Sequence, residues 1–312
     1  MMTYVLLIVG FLLLIKGADF FVEGSAAVAK KLRVPTMIIG LTIVAMGTSA
    51  PECAVSIAAS IKGSNAMAIS NVVGSNIFNL MVVSGFCALF TPLIVHAKTL
   101  KQEFPFSILA AIVMLIAGFI GMTLGRIDGV ILLVLFAFFL VWMVKSALKA
   151  RANAEDIEEE NVKDLGNLQC LLYIIGGIIA IVIGGDLVVD SATEIARTFG
   201  LSENLIGLTI VAFGTSLPEL VTSAVAAKKG EVDMALGNVI GSNIFNILLV
   251  AGIAATVSPM AFLMENVIDL VILIVMSIVV WSFASTKKKI GRAEGVFMLI
   301  IYVAYIVYIC NR

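Results

Sequence analysis

Charge is scarce in this sequence. Only 13% of its 312 residues are Asp, Glu, Lys or Arg, against 61% hydrophobic. A soluble domain carries about 25% charge and about 45–50% apolar residues, so an ordinary water-soluble enzyme is excluded. Histidine occurs once, at His96, beside the basic end of a segment, and reads as a loop or interfacial residue rather than a catalytic one. The four cysteines, Cys53, Cys87, Cys170 and Cys310, form no CxxC and no paired spacing. They read as small buried apolar residues, and neither a disulfide framework nor a zinc site is expected. No Ser-His-Asp set and no GxxxxGKS/T loop is found, so no enzyme activity is expected. The net charge of −1 says little about partners, and neither a nucleic-acid nor a protein partner is expected. The opening MMTYVLLIVG lacks a basic n-region and a cleavage site; it reads as a first transmembrane helix kept in the mature protein.

What the chain has in abundance is long apolar runs. A bilayer core of about 30 Å takes about 20 residues of helix. Ten such segments are found, at 4–29, 35–61, 66–91, 104–123, 127–149, 168–196, 203–228, 233–258, 264–284 and 290–310. The only clearly solvated stretch is 150–167, ARANAEDIEEENVKDLGN, which divides the chain into 1–149 and 168–312. Its acidic run lacks the spaced oxygen ligands and turn glycine of a calcium-binding loop, and reads as a short charged linker.

The two halves repeat one another in a gapless register of 167 residues. GLTIVAMGTSAPE from Gly40 and GLTIVAFGTSLPE from Gly207 differ at two of thirteen positions. NVVGSNIFNL from Asn71 and NVIGSNIFNI from Asn238 share eight of ten. Five spans per repeat is an odd number, so the second repeat enters the membrane from the opposite side, about a pseudo-two-fold axis in the membrane plane. Of the twenty Lys and Arg residues, Lys16 lies within the first span; of the rest, fifteen then fall on one side and four on the other. The positive-inside rule makes the first side cytoplasmic, with both termini outside and 150–167 inside, as for a plasma-membrane protein. The expected fold is therefore an all-α membrane protein of ten transmembrane helices in two inverted five-helix repeats, with the lipid bilayer as its surroundings. Lys287, Lys288 and Lys289 read as anchors at anionic headgroups.

The repeated motifs carry polar groups that lipid would reject. Pro51 lacks an N–H and its ring displaces the carbonyl four residues back; it biases Ala50 away from helix, and Gly47 weakens the turn further. A break is expected there, with backbone oxygens around Ala45 to Gly47 freed, and again around Gly214 and Pro218. Such a break must face protein or a hydrated cavity. Thr48 and Ser49 lie four and three residues before Glu52 and share its helical face; Thr215, Ser216 and Glu219 repeat the pattern. Asn71, Ser75 and Asn79 form a stripe at i, i+4 and i+8, repeated as Asn238, Ser242 and Asn246. Asn76 and Asn243 lie off it and are expected to hydrogen-bond between helices. Two carboxylates, amides, hydroxyls and freed carbonyls make an all-oxygen set, which suits hard cations such as Ca2+, Na+ or Mg2+. A carboxylate at mid-membrane costs at least about 2.5–3.5 kcal/mol, which argues for function. The two glutamates supply a charge that one Ca2+, two Na+ or two protons would neutralise, so exchange is a natural outcome, although the count alone does not separate an antiporter from a channel.

Asp19 and Glu23, matched by Asp186 and Asp190, also fall inside spans, with Lys16 three residues before Asp19. Lys16 is expected to offset Asp19 near a helix end or vestibule. Gly17, Gly24, Gly184 and Gly185 are expected to let these two helices slide against their neighbours.

Across essentially the whole chain, GTSAPE/GTSLPE and the two GSNIFN segments resemble the alpha repeats of the sodium/calcium exchangers, in their short prokaryotic form. The resemblance implies competition of Na+ and Ca2+, the transported ions, at sites among the second, third, seventh and eighth helices, with no cofactor. It implies that the first and sixth helices slide together across this core. Carried over, the metal ligands would be the carbonyls of Ala45 and Ala212 and the side chains of Thr48, Ser49, Glu52, Ser75, Asn79, Thr215, Ser216, Glu219, Ser242 and Asn246. Some relatives, including potassium-dependent ones, carry Asp where this chain has Asn246, so a K+-dependent reading is weakened. The implied function is a Na+/Ca2+ antiporter that extrudes Ca2+; the alternatives are an H+- or K+-coupled Ca2+ exchanger, or a cation channel.

Overall fold

The computed structural model describes residues 2–62, 65–152, 162–200 and 212–312. In lipid, backbone polar groups must be satisfied within the segment, and the apolar runs are accordingly helical. The helices are α1 (Met2–Leu32), α2 (Thr36–Thr48), α3 (Ala50–Ile61), α4 (65–90), α5 (Thr99–Met122) and α6 (Arg126–Ala152). They are followed by α7 (Asn167–Thr198), α8 (Ala212–Gly214), α9 (Leu217–Lys228), α10 (Val232–Val257), α11 (Met264–Lys287) and α12 (Arg292–Asn311). Eight of these are long and apolar enough to cross a membrane, and α2 with α3, bent by 49° at their junction, would make a ninth. Of the expected span 203–228, residues 203–211 lie outside the described residues; α8 and α9 are the rest of it.

Four two-residue strands, which the sequence reading lacked, tie the halves together. β1 (Leu93–Ile94) pairs antiparallel with β4 (Lys289–Ile290), and β2 (Thr123–Leu124) with β3 (Met260–Ala261). Each pair joins a strand of one half to a strand of the other.

The middle of the molecule is α4 and α10. About four-fifths of their membrane-length windows is buried in protein, against well under half for the other long helices, which present their apolar faces outward. Gly40 of α2 meets Gly237 of α10 backbone to backbone, with Cα of Gly237 only 3.1 Å from where a side chain on Gly40 would begin.

α1 and α7 lie antiparallel along each other. Gly10 packs on the Gly184 carbonyl, Gly17 on the Gly177 carbonyl and Gly24 on the Cys170 carbonyl. Gly17, Gly24 and Gly184 therefore join the two helices closely to each other. Small residues allow such close approach where lipid offers no hydrophobic drive.

One expectation is corrected. Cys310 is exposed and Cys53 half-buried, so only Cys87 and Cys170 are the buried residues expected of all four. Lys287 makes an ion pair with Glu294 at 2.8 Å. Lys16 pairs with Asp19 at 3.8 Å as expected, and Lys229 pairs with it more closely, at 2.7 Å. His96 sits in a loop as expected, 3.1 Å from Asp233 at the start of α10.

Candidate functional site

The helix break comes one residue earlier than proline chemistry alone suggests. Ser49 carries it, with φ −83° and ψ 10°, and Ala50 is already the first residue of α3. Pro51 then sits in the first turn, where a missing N–H costs nothing. The Ala45 carbonyl is not stripped of its usual partner, because Ser49 N donates to it at 3.0 Å. The freed carbonyl is that of Gly47, whose donor four residues on would be Pro51. In the second copy Ser216 has φ −95° and ψ 6° and precedes α9, with Pro218 in the first turn. Its N–H bonds the Phe213 carbonyl, three residues back, at 3.2 Å. Ala212 opens α8.

Both breaks deliver their glutamates to the protein interior. Glu52 and Glu219 are each 0% exposed. Ser49, Ser75, Asn79, Ser216, Ser242 and Asn246 are buried with them, as is Thr48, while Thr215 is only partly buried. The arrangement is crossed. Ser49 Oγ donates to Glu219 Oε1 at 2.7 Å, and Ser216 Oγ donates to Glu52 Oε1 at 3.0 Å. Each serine thus serves the glutamate of the other half, where the shared-face reading paired it with its own. Ser242 lies 3.5 Å from Glu219 Oε1, and Ser216 lies 3.2 Å from Ser75.

What remains open in this cluster is oxygen, with one amide nitrogen, Asn79 Nδ2. Glu52 Oε2, Glu219 Oε2, Asn79 Oδ1, Asn246 Oδ1 and Thr215 Oγ1 are buried without a hydrogen-bond partner. A buried polar atom left unpaired costs about 1–3 kcal/mol, and a carboxylate oxygen costs more. Five such acceptors around two carboxylates is a donor set that a hard cation satisfies.

The outer residues of the stripes have another task. Asn71 donates to Ser56 Oγ at 2.9 Å and Asn238 to Ser223 Oγ at 2.9 Å. Thr48 Oγ1 lies 3.0 Å from Asn238 Oδ1. Ser56 and Ser223, buried and four residues after each glutamate, were not singled out from the sequence. Their signal was there: both motifs place a serine on the glutamate's helical face.

Asn76 and Asn243 hold the halves together as expected. Asn76 Nδ2 donates to the Asn243 carbonyl at 3.1 Å, and Asn243 Nδ2 to the Asn76 carbonyl at 3.2 Å. Asn76 Oδ1 also accepts from Asn246 Nδ2 at 3.2 Å, which orients Asn246. Replacing Asn76 with Ala is expected to lower stability by about 1–3 kcal/mol. A double-mutant cycle with Asn243→Ala should show a coupling of about 0.6–1.7 kcal/mol, read from melting of the detergent-solubilised protein. Additive effects would show that the reciprocal bonds do not act as a pair.

One feature carried no periodicity signal. Asn79 and Asn246 each begin a π-helical turn, Asn79–Val83 and Asn246–Val250, and a third, Gly40–Val44, precedes the first break. Single π turns recur at functional sites, where the widened turn redirects a side chain and its carbonyl.

The chain is similar to known proteins along nearly its whole length. The family described as "Sodium/calcium exchanger protein" matches residues 2–145 and 170–311. The sodium/calcium exchanger MaX1 of Methanosarcina acetivorans is 33% identical, over 98% of this chain and 97% of its own. The inner membrane protein YrbG of Escherichia coli K12 is 36% identical, over 94% and 92%. A solved structure of the sodium-calcium exchanger NCX_Mj is 35% identical and superposes with a TM-score of 0.85, covering 98% of each chain. An integral membrane protein with this doubled motif, this buried oxygen cluster and these likenesses belongs to the sodium/calcium exchanger family of antiporters.

Proposed function

We propose that the protein is a Na+/Ca2+ antiporter that works by alternating access. It extrudes Ca2+ in exchange for Na+ at the central all-oxygen site. The observation that carries this reading is the pair of buried glutamates, one from each half, each with an unpartnered Oε2. Two carboxylates are neutralised by one Ca2+ or by two Na+, so either load makes the site neutral. A neutral site is one that the low-dielectric interior tolerates while the protein changes state. Glu52, Glu219, Asn79, Asn246 and Thr215 would hold the cation through their open oxygens. Ser49, Ser75, Ser216 and Ser242 would complete the shell, with Thr48 and the carbonyls of Ala45 and Ala212 as further oxygens. The ions are the substrates, and no resident cofactor is needed.

In this reading 1–149 and 168–312 are inverted five-helix repeats, joined by a cytoplasmic linker at 150–167. The lysine-rich face is cytoplasmic, both termini are outside and the membrane is the plasma membrane. The antiparallel course of α1 and α7 and the reciprocal Asn76–Asn243 bonds support that arrangement. Asn at both stripe ends leaves the centre with two formal charges, which favours Na+ coupling over a K+-dependent cycle.

Flux of 45Ca2+ in proteoliposomes tests the reading. An imposed Na+ gradient is expected to drive Ca2+ against its own gradient. Flux driven by H+ or K+ gradients and not by Na+ would remove the Na+ assignment. Sustained Ca2+ flux with no counter-ion would point to a channel.

A further inference from the structure

The two halves share one sequence pattern but not one environment. On the lysine-rich face, Lys229 at the end of α9 reaches Asp19 and Glu23 of α1, at 2.7 Å each. Lys163 adds a third bond, 3.0 Å from Glu23. In the repeat register Lys229 corresponds to Lys62, Asp19 to Asp186 and Glu23 to Asp190. Among the described residues, those three form no ion pair. Asp186 and Asp190 are exposed and instead line a cavity of about 160 Å3 with Pro51, Thr215 and Pro218. The packing agrees. α1 lies along α9, while its counterpart α7 makes at most isolated contacts with α3.

Inverted repeats reach their second state by exchanging the environments of the two halves. Resting on the alternating-access reading above, we propose that Lys229 with Asp19 and Glu23, and Lys62 with Asp186 and Asp190, are alternating gate latches. One latch is closed in each state, and α1 and α7 carry the acids between them. In the exchanged state α7 lies along α3, Lys62 binds Asp186 and Asp190, and Lys229 is released. The lysines and acids are gating residues and do not touch the transported ion. Lys163, from the linker, adds its bond to the Lys229 latch in the state seen here.

The test reads the conformational balance without requiring transport. Val182, which lines the cavity, is replaced by Cys in a background whose four native cysteines are Ala. Labelling by a membrane-impermeant maleimide is then followed in proteoliposomes. Partly exposed ion pairs are worth little singly, so shifts of about threefold to tenfold are expected. Lys229→Gln should slow labelling, because the closed side loses its latch. Lys62→Gln should speed it, although Lys62 pairs with none of the described residues in the present state. The double variant should return towards the parent rate, and Lys229→Arg should match the parent, which separates charge from misfolding. An unchanged or slower rate for Lys62→Gln overturns the proposal, as does an unchanged or faster rate for Lys229→Gln. Absence of Na+-driven 45Ca2+ flux in the unmodified protein would instead overturn the functional reading, whatever the labelling shows.

Discussion

Replacing Glu52 or Glu219 with Gln is expected to abolish Na+-driven Ca2+ flux. The amide keeps the size and one acceptor of the acid, so the fold should survive. The charge is lost, and with it half of what balances Ca2+. A bound Ca2+ would then leave a net positive charge in a site whose glutamates are fully buried. A unit charge pair about 4 Å apart is worth about 4 kcal/mol at an effective dielectric of 20, or roughly three orders of magnitude in affinity. Equilibrium 45Ca2+ binding in detergent should fall by about that factor, and proteoliposome flux should fall to background. The crossed hydrogen bonds make the two variants equivalent in kind: Glu52→Gln disturbs Ser216, and Glu219→Gln disturbs Ser49. Flux within tenfold of the parent in either variant would show that the pair is not the ion site.

Gly17→Leu is expected to have the second largest effect, and to act on the scaffold. A Cβ at Gly17 would stand 2.9 Å from the Gly177 carbonyl oxygen, the Ile181 nitrogen and the Ala180 Cβ. Two of these are backbone atoms and cannot turn aside, so α1 and α7 must part. Overpacking of this kind costs about 1–3 kcal/mol, and a leucine should lie at or beyond the top of that range. Gly176→Leu is the control, since a Cβ there meets nothing within 4 Å. The first variant should melt well below the parent and lose most of its flux, while the second should match the parent. Equal behaviour of the two would show that the close approach of α1 and α7 is dispensable.

The site was legible in the sequence to the extent that its chemistry is local. Glu52 and Glu219 inside apolar runs, each beside Pro and Thr-Ser, marked the place because a charge in lipid needs a reason. Asn76 and Asn243 were separated from the stripe by helical spacing alone, and they do bond between helices. The position of the break was off by a residue because proline is tolerated in the first turn of a helix, so the break falls at Ser49. The π turns at Asn79 and Asn246 were invisible because a one-residue widening leaves no mark on a period of 3.6.

By itself the sequence determined the membrane class, the duplication, the two breaks and the oxygen-rich composition of the candidate site. Each follows from residue type and short spacing. Tertiary structure alone decided which hydroxyl serves which carboxylate, since Ser49 and Glu219 are 170 residues apart and meet through helix rotation and packing. It also decided which of the two lysines, Lys229 or Lys62, is paired. Two nearly identical motifs specify both arrangements equally, and only the packing of α1 on α9, with Lys229 drawn to Asp19 and Glu23, selects one of them.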